Sequence, residues 1–332
     1  MISYIVRRLL QAIPTIFGVT LISFIIMQAA PGDPVQLMTF NPSADAEDRA
    51  RLEQELCLDR SLPEQYFIWL FGDLRGECAI RGLIRGDFGT SFYDRRPVIE
   101  MIGERLPATL ELTATALVMG GVIGLIVGVL SAVNRASAFD NIARFFSVVF
   151  DAIPSFWLGL LLIMYFSVEL RWLPVGGRLP LNVETITFTD RFRHLAMPST
   201  VLAVTWIALM SRYMRAETLE VIRQDYIRTA RAKGVPKYRV YFYHAARNAH
   251  IPIVTILGPA ITGLVAGAVV IERIFSWPGL GRLTVDAVSA RDYPIVTASV
   301  IIGSILVIIG NLLSDILLAL VDPRLRLGLG GL

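Results

Sequence analysis

LTATALVMGGVIGLIVGVLSAVN, residues 112–134, holds no charged side chain. Wound as an α-helix it would be about 35 Å long, enough to cross the ~30 Å hydrocarbon layer of a bilayer. Further uncharged stretches of similar length run from Leu9 to Gly32, Leu195 to Ser211, Ile251 to Ile271 and Ile295 to Ser314. A sixth, Phe145 to Val168, is interrupted only by Asp151, and the last continues past Asp315 to Val321. The whole chain of 332 residues agrees with these runs: 54% of residues are hydrophobic, 18% are charged and the mean hydropathy is +0.59. A soluble domain does not carry that balance. The expected fold class is an all-α membrane protein with six transmembrane helices.

The first run follows Arg7 and Arg8 and precedes Gln28-Ala29-Ala30, so it has the outline of a cleaved signal peptide. It is longer than the ~7–15 apolar residues of a signal core, and we read it as the first helix. Basic residues then orient the chain. With both termini inside, the inner segments 1–8, 135–144, 212–250 and 322–332 hold 15 Lys and Arg against 5 acids in 68 residues. The outer segments hold 16 against 20 in 122 residues. Density and acid balance favour both termini in the cytoplasm. The net charge of +3 is accounted for by this asymmetry and indicates no nucleic-acid partner.

Between the first two spans lies a segment too long for a simple connector. Residues 33–105 carry 14 acidic and 9 basic side chains. Ala46 to Leu56 and Pro63 to Leu70 read as short helices, the second rich in aromatics, and Gly72, Gly76, Gly82, Gly86 and Gly89 break the pattern after them. An irregular outer subdomain over 31–105 is expected. The only cysteines, Cys57 and Cys78, both fall in it. In an oxidising compartment they could pair; the alternative is two free buried thiols.

Gly120, Gly124 and Gly128 repeat every four residues along one face of the second span, and Gly263 and Gly267 repeat the pattern in the fifth. Such stripes allow close helix approach, within the chain or at a subunit interface. Pro154 and Pro259 are expected to kink their helices. Asp151 and Asp315 are the charges within the spans. They would act either as a proton or cation relay or as carboxyls bonded to a neighbouring helix.

No GxxxxGK[ST] phosphate loop is present, and neither lysine, Lys233 or Lys237, is followed by Ser or Thr. His194, His244 and His250 form no HExxH motif and have no cysteine near them, so no metal site is expected. No GxSxG-like nucleophile accompanies a histidine at membrane depth. What remains is the basic loop DYIRTARAKGVPKYRVYFYHAARNAHIP, residues 225–252. Glu217 to Lys233 reads as one helix that stops at Gly234, with Pro236 beyond it. A second helix, Lys237 to His250, would lead back into the membrane at Pro252. Small side chains at Thr229, Ala230 and Ala232 would let the first helix enter a groove on a partner. A solvated basic helix has the same pattern, so the residues by themselves leave both readings open.

YIRTARAKGVP (226–236) with HAARNAHIP (244–252) resembles the cytoplasmic EAA loop of ABC importer permeases. The resemblance extends along the chain through YIVRRLLQAIPTIFGVTLISFIIMQAAPGDPV (4–35), GDFGTSFYDRRPV (86–98), LPATLEL (106–112), IFSWPGLGRLTVDAVSARDYPIV (274–296) and NLLSDILLALVDPRLR (311–326). Together these resemble the B-type inner-membrane subunit of the dipeptide, oligopeptide and nickel uptake family. One departure stands: Arg228, Thr229 and Ala230 occupy the places of the general Glu-Ala-Ala, and Gly234 lies farther from Pro252 than usual. Both traits resemble the peptide-permease branch, and glutamate contacts are not carried over.

The resemblance implies the type I ABC importer permease fold: a first helix over 1–30, the outer subdomain over 31–105, a five-helix core over 106–321 with the coupling loop 212–250, and a tail over 322–332. It implies a non-catalytic transmembrane subunit in a bacterial or archaeal inner membrane. Its expected partners are a second homologous permease, two ATPase subunits and an external solute-binding protein. ATP and magnesium would be bound by the ATPase subunits, leaving this chain without a cofactor. Tyr226, Arg228, Thr229, Ala230, Arg231, Ala232, Lys233, Gly234 and Lys237 would form the helix that meets the ATPase. The cargo could be a dipeptide, an oligopeptide, a metal chelate, a sugar or an opine. The alternative is a secondary transporter driven by an ion gradient through Asp151 and Asp315; a non-catalytic assembly or receptor protein is a third class.

Overall fold

The computed structural model describes residues 2–29, 51, 53–54, 57–73, 75–78, 80–180, 185–246, 258, 261 and 268–321. In chain order its helices are α1 (Ile2–Ala29), α2 (Leu62–Phe71), α3 (Val98–Val133), α4 (Ala138–Ala152), α5 (Ser155–Leu162), α6 (Phe188–Val221), α7 (Asp225–Ala232), α8 (Leu280–Ala290) and α9 (Tyr293–Val321). Helix α5 runs on as a wider π-helical stretch, Ile163–Glu169, and a second such stretch covers Arg239–Ala245. Residues 268–274 are also helical.

Among the described residues, four helices are long and apolar enough to cross a membrane: α1 over Val6–Ala29, α3, α6, and α9 over Tyr293–Leu318. Helices α4 and α5 with its extension pass the same test as a pair. The expected span Ile251–Ile271, with Pro259, Gly263 and Gly267, lies largely outside the described residues. So do most of Ala46–Leu56, His250, Pro252 and the tail 322–332.

Two helices are longer than their apolar runs. Helix α3 begins at Val98 rather than near Leu112, because Glu100, Glu104 and Arg105 are good helix formers that hydropathy alone discounts. Helix α6 begins at Phe188, where Thr187 and Asp190 form a capping box: the Asp190 amide donates to the Thr187 hydroxyl and the Thr187 amide donates to the Asp190 carboxylate. The third span departs further from expectation. Rather than one kinked helix over Phe145–Val168, the chain turns through 103° between Ala152 and Ser155. Ile153 and Pro154 both have extended backbone. Proline disfavours helical geometry in the residue before it and lacks the N–H that would continue the ladder.

The chain divides into two compact units. The first comprises Met1–Leu9, Ala108–Arg282 and Leu306–Leu332. Its core gathers Leu112 and Ala116 of α3, Val201 and Trp206 of α6, and Phe275 and Trp277. The glycine stripe faces this core: a Cβ on Gly120 would strike Trp206, one on Gly124 would strike Met210, and one on Gly128 would come within 2.6 Å of the Met214 Cβ. The partners advance by four residues as the glycines do, so α3 and α6 run parallel along this seam. The stripe is thus used for packing inside the chain. A second tie joins α3 to residues 272–282. Buried Glu272 accepts hydrogen bonds from the Thr109 hydroxyl at 2.6 Å and the Arg282 amide at 2.9 Å, and the Trp277 indole donates to the Ala108 carbonyl at 2.8 Å.

The second unit comprises Leu10–Pro107 and Leu283–Ile305. Its apolar cluster is formed by Phe24 of α1 with Tyr66 and Leu70 of α2. Helix α2 starts with a capping box, Ser61 with Glu64, and has proline in its first turn, both strong start signals. Cys57 and Cys78 flank α2 and are joined by a disulfide, their Cα atoms 6.0 Å apart. Closing a loop of 21 residues contributes about 3 kcal/mol in the chain-entropy account. Gly72 and Gly82, with φ of +88° and +91°, let two backbone strands touch where any side chain would collide with main-chain atoms. Elsewhere in this unit the Ser91 hydroxyl donates to the buried Asp292 carboxylate at 2.5 Å.

Candidate functional site

The helix expected over Glu217–Lys233 is broken, its first part belonging to the end of α6 and its second forming α7. Helix α6 ends at Val221, where the Ile222 and Gln224 amides close turns on the Thr218 and Val221 carbonyls at 3.0 and 3.1 Å. Gln224 is extended and α7 starts anew at Asp225, whose negative charge suits a helix amino terminus. The physical reason for the break is Ile227. Restarting the helix after a turn carries Ile227 into a pocket of Val129, Met214, Val221 and Val240, where it is fully buried. An uninterrupted basic helix would have no such anchor.

The stop at Gly234 follows the expected chemistry. Gly234 has φ of +75°, its amide donates to the Arg231 carbonyl at 3.0 Å, and the Val235 amide donates to the Ala230 carbonyl at 3.2 Å. These are the two bonds of a Schellman cap, and glycine takes the left-handed position without a Cβ penalty. Pro236 follows, and the chain turns into the helical residues from Lys237 to Ala246. Val240 and Ala245 are buried in the same cluster as Ile227. The Arg231 guanidinium lies 5.5 Å from the centre of the Tyr241 ring, which ties the two arms together.

With Ile227 turned inward, the other side of α7 is presented outward. Tyr226, Arg228, Thr229, Arg231, Ala232, Lys233, Gly234 and Lys237 are exposed, and Ala230 is half-buried. The structure therefore brings eight of the nine predicted residues together on one short helix and its cap, and Lys237 opens the second arm. Exposed Tyr238, Phe242 and Tyr243 continue the surface along the second arm. A cationic strip with aromatic neighbours and small residues between them, on a helix anchored from behind, is suited to contact with a protein surface.

A buried ion pair joins α4 to α6. Asp140 of α4 accepts two parallel bonds from Arg215 of α6, at 2.7 and 2.8 Å, and further bonds from the Ser131 hydroxyl at 2.5 Å and the Ala136 amide at 2.9 Å. The bidentate geometry fixes the end of α6 from which α7 departs. Sequence reasoning did not single these residues out. The available signal was Ser137-x-x-Asp140, a helix-start pattern, and Ser137 does accept from the Asp140 amide.

The two carboxylates considered as a relay each meet an arginine. Asp151 pairs with Arg212 at 3.0 Å and Asp315 with Arg8 at 3.1 Å, and all four side chains are partly exposed on the chain. Arg212 and Arg8 fall just outside the apolar runs, which is why hydropathy did not offer them as partners. Among the described residues no cluster of three His, Cys, Asp or Glu could hold a metal ion.

Comparison with known proteins identifies the family. Residues 124–327 match the family described as binding-protein-dependent transport system inner membrane component, and residues 1–113 match the N-terminal membrane component of the same systems. The chain is 45% identical over 327 residues to the oligopeptide transport system permease protein AppB of Bacillus subtilis, covering 98% of this chain and all of that one. It is 41% identical over 343 residues to the di/tripeptide transport system permease protein DppB of Pseudomonas aeruginosa, covering 98% and 99%. It is 39% identical over 326 residues to the glutathione transport system permease protein GsiC of Escherichia coli K12, again covering 98% and 99%. Among solved structures, a chain of the inward-facing MetNI methionine ABC transporter superposes with a TM-score of 0.55 at 19% identity, covering 67% of this chain and 97% of that chain. That likeness is one of fold.

Proposed function

The chain belongs to the family of binding-protein-dependent transport system inner membrane components, and from that membership we propose that it is the permease half of an ATP-driven importer for peptides. The cargo is inferred from the relatives, whose names specify oligopeptides, di- and tripeptides and glutathione. The chain itself is a non-catalytic membrane component. ATP and magnesium are assigned to two ATPase subunits, and the remaining partners are a second homologous permease and an external binding protein.

The observation that carries the mechanism is the anchored helix α7. An ATPase that closes on nucleotide can move the permease only through a contact whose fit differs between states. Helix α7 supplies such a contact: its basic face points outward, Ile227 seats it on α3 and α6, and the cap at Gly234 fixes its length. Force applied to Arg228, Thr229 or Lys233 is passed through Ile227 to Val129 and Met214, and through Arg215 to α4. The helices that meet there would rock as rigid bodies.

Six spans with both termini in the cytoplasm are the topology we assign. The parallel course of α3 and α6 supports it, because the chain between them has to return across the membrane once. The bent pair α4–α5 provides that return. The remaining span, fifth in chain order, is assigned to Ile251–Ile271 on its sequence. Residues 31–105 are assigned to the outer face, where their acidic character suits contact with the binding protein. The ion pairs of Asp151 and Asp315 argue against an ion relay. The test is reconstitution with the ATPases, the second permease and a binding protein. ATP-dependent peptide uptake that stops when α7 is altered supports the reading; uptake driven by an ion gradient without ATP overturns it.

A further inference from the structure

Helix α2, LPEQYFIWLF, is too short to span a membrane, yet its contacts set its depth. The membrane-crossing part of α1, Val6–Ala29, is centred at Phe17–Gly18. At 1.5 Å per residue, Thr20 is about 4 Å and Phe24 about 10 Å from that centre toward the carboxyl end. The edge of a ~30 Å hydrocarbon layer then falls near Met27 and Gln28. Helix α2 touches α1 across this interval. The Gln28 amide donates to the Gln65 side chain at 2.6 Å, the Tyr66 and Thr20 hydroxyls are 2.9 Å apart, and the Tyr66 ring lies 5.9 Å from Phe17 and 5.3 Å from Phe24.

We propose that α2 lies in the bilayer interface at the carboxyl end of α1, with Phe67 and Phe71 inserted among lipid acyl chains. Tyr66 and Leu70 face α1, while Phe67 and Phe71 are stacked 6.1 Å apart, 57% and 43% exposed. Ile22, Ile25 and Ile26, on the same carboxyl half of α1, are exposed as well. Arg60, Glu64, Arg75 and Glu77 border the same shallow depression. Charges at that level meet headgroups, while aromatic rings favour the boundary beneath them. The disulfide between Cys57 and Cys78 holds the two ends of this border together. A protein partner would have to reach Phe67 and Phe71 at the depth of α1's apolar residues, which lipid already occupies. The placement refines the outer segment into a part that lies on the membrane and a part that extends from it.

The test places a tryptophan on the helix face in the full chain, reconstituted in phosphatidylcholine vesicles. Phe67→Trp and Phe71→Trp are read against the unsubstituted chain, with Asp94→Trp, on an exposed charged turn, as the aqueous control. The emission added at 67 and 71 is expected to be lost in lipid brominated near the glycerol end of its acyl chains and to resist iodide, and the emission added at 94 to behave in the opposite way. Iodide quenching at 67 and 71 equal to that at 94, without an effect of bromine, overturns the proposal. Shielding of those positions from iodide only when an external binding protein is added would also overturn it, in favour of a protein-docking face.

Discussion

Asp140 and Arg215 are joined by two parallel hydrogen bonds, Nε to Oδ1 at 2.7 Å and Nη2 to Oδ2 at 2.8 Å, with the carboxylate wholly enclosed. The pair links the start of α4 to the end of α6 a few residues before α7. Removing one partner of a buried pair strands the other charge and costs about 3–5 kcal/mol. Asp140→Ala is therefore expected to lower thermal stability strongly, and Asp140→Ala combined with Arg215→Met to lower it less. Equal losses in the single and double variants, measured by thermal unfolding in lipid, would mean that the pair is not coupled.

The α3–α6 seam tolerates no side chain at the glycine positions. A leucine at Gly124 would have to displace Met210 and the backbone near Ile207. Overpacking of this kind costs about 1–3 kcal/mol. Gly124→Leu should lower the melting temperature, and adding Met210→Ala should recover part of the loss. A Gly124→Leu chain as stable as the original would show that the seam is loosely packed.

Asp73 ties the disulfide loop through its backbone. Its two oxygens accept from the Cys78 amide at 2.6 Å and the Arg75 amide at 2.8 Å. These bonds, that of Cys78 foremost, hold the carboxyl below its ordinary value of 3.8. A lowered folded value stabilises the loop above about pH 4, and the stabilisation is lost as pH falls below 3.8 through the folded value. Hydrogen exchange at the Arg75 and Cys78 amides should thus quicken on acidification relative to Asp73→Asn at the same pH. Parallel behaviour of the two proteins at all pH values would contradict the assignment.

Asp151→Asn and Asp315→Asn remove one charge from each of the pairs with Arg212 and Arg8. Partly exposed pairs contribute about 0–1 kcal/mol. ATP-driven uptake in proteoliposomes is expected to persist in both variants and to be indifferent to an imposed proton or sodium gradient. Abolition of uptake by either substitution, with the chain correctly assembled, would restore the relay reading.

Much of the fold was legible because hydrocarbon imposes a simple rule, and the runs at Leu9, Leu112, Leu195 and Ile295 each lie in a long helix. The ends of α3 and α6 were less legible, since Glu100 and Arg215 belong to helices that continue beyond the apolar run. The sharp turn at Pro154 exceeded the expected kink because two extended residues, not one missing hydrogen bond, make it. In the loop, the cap at Gly234 could be read from one glycine and one proline. The break at Ile222–Gln224 could not, because nothing local forbids a helix there; it exists to bury Ile227 against Val129 and Met214, residues distant in sequence. Asp140 with Arg215 is likewise a tertiary pairing over 75 positions, visible only once the helices are assembled.

Helix α7 is assigned the role of passing ATPase closure to the spans, and the left-handed residue Gly234 sets its length. A β-branched side chain at that φ costs on the order of 1–2 kcal/mol, whereas asparagine is tolerated there. The decisive measurement compares ATP hydrolysis and peptide uptake in the reconstituted importer carrying Gly234→Val or Gly234→Asn. Gly234→Val is expected to assemble and hydrolyse ATP while uptake falls away, and Gly234→Asn to retain both. Uptake fully coupled to hydrolysis in Gly234→Val would contradict that role.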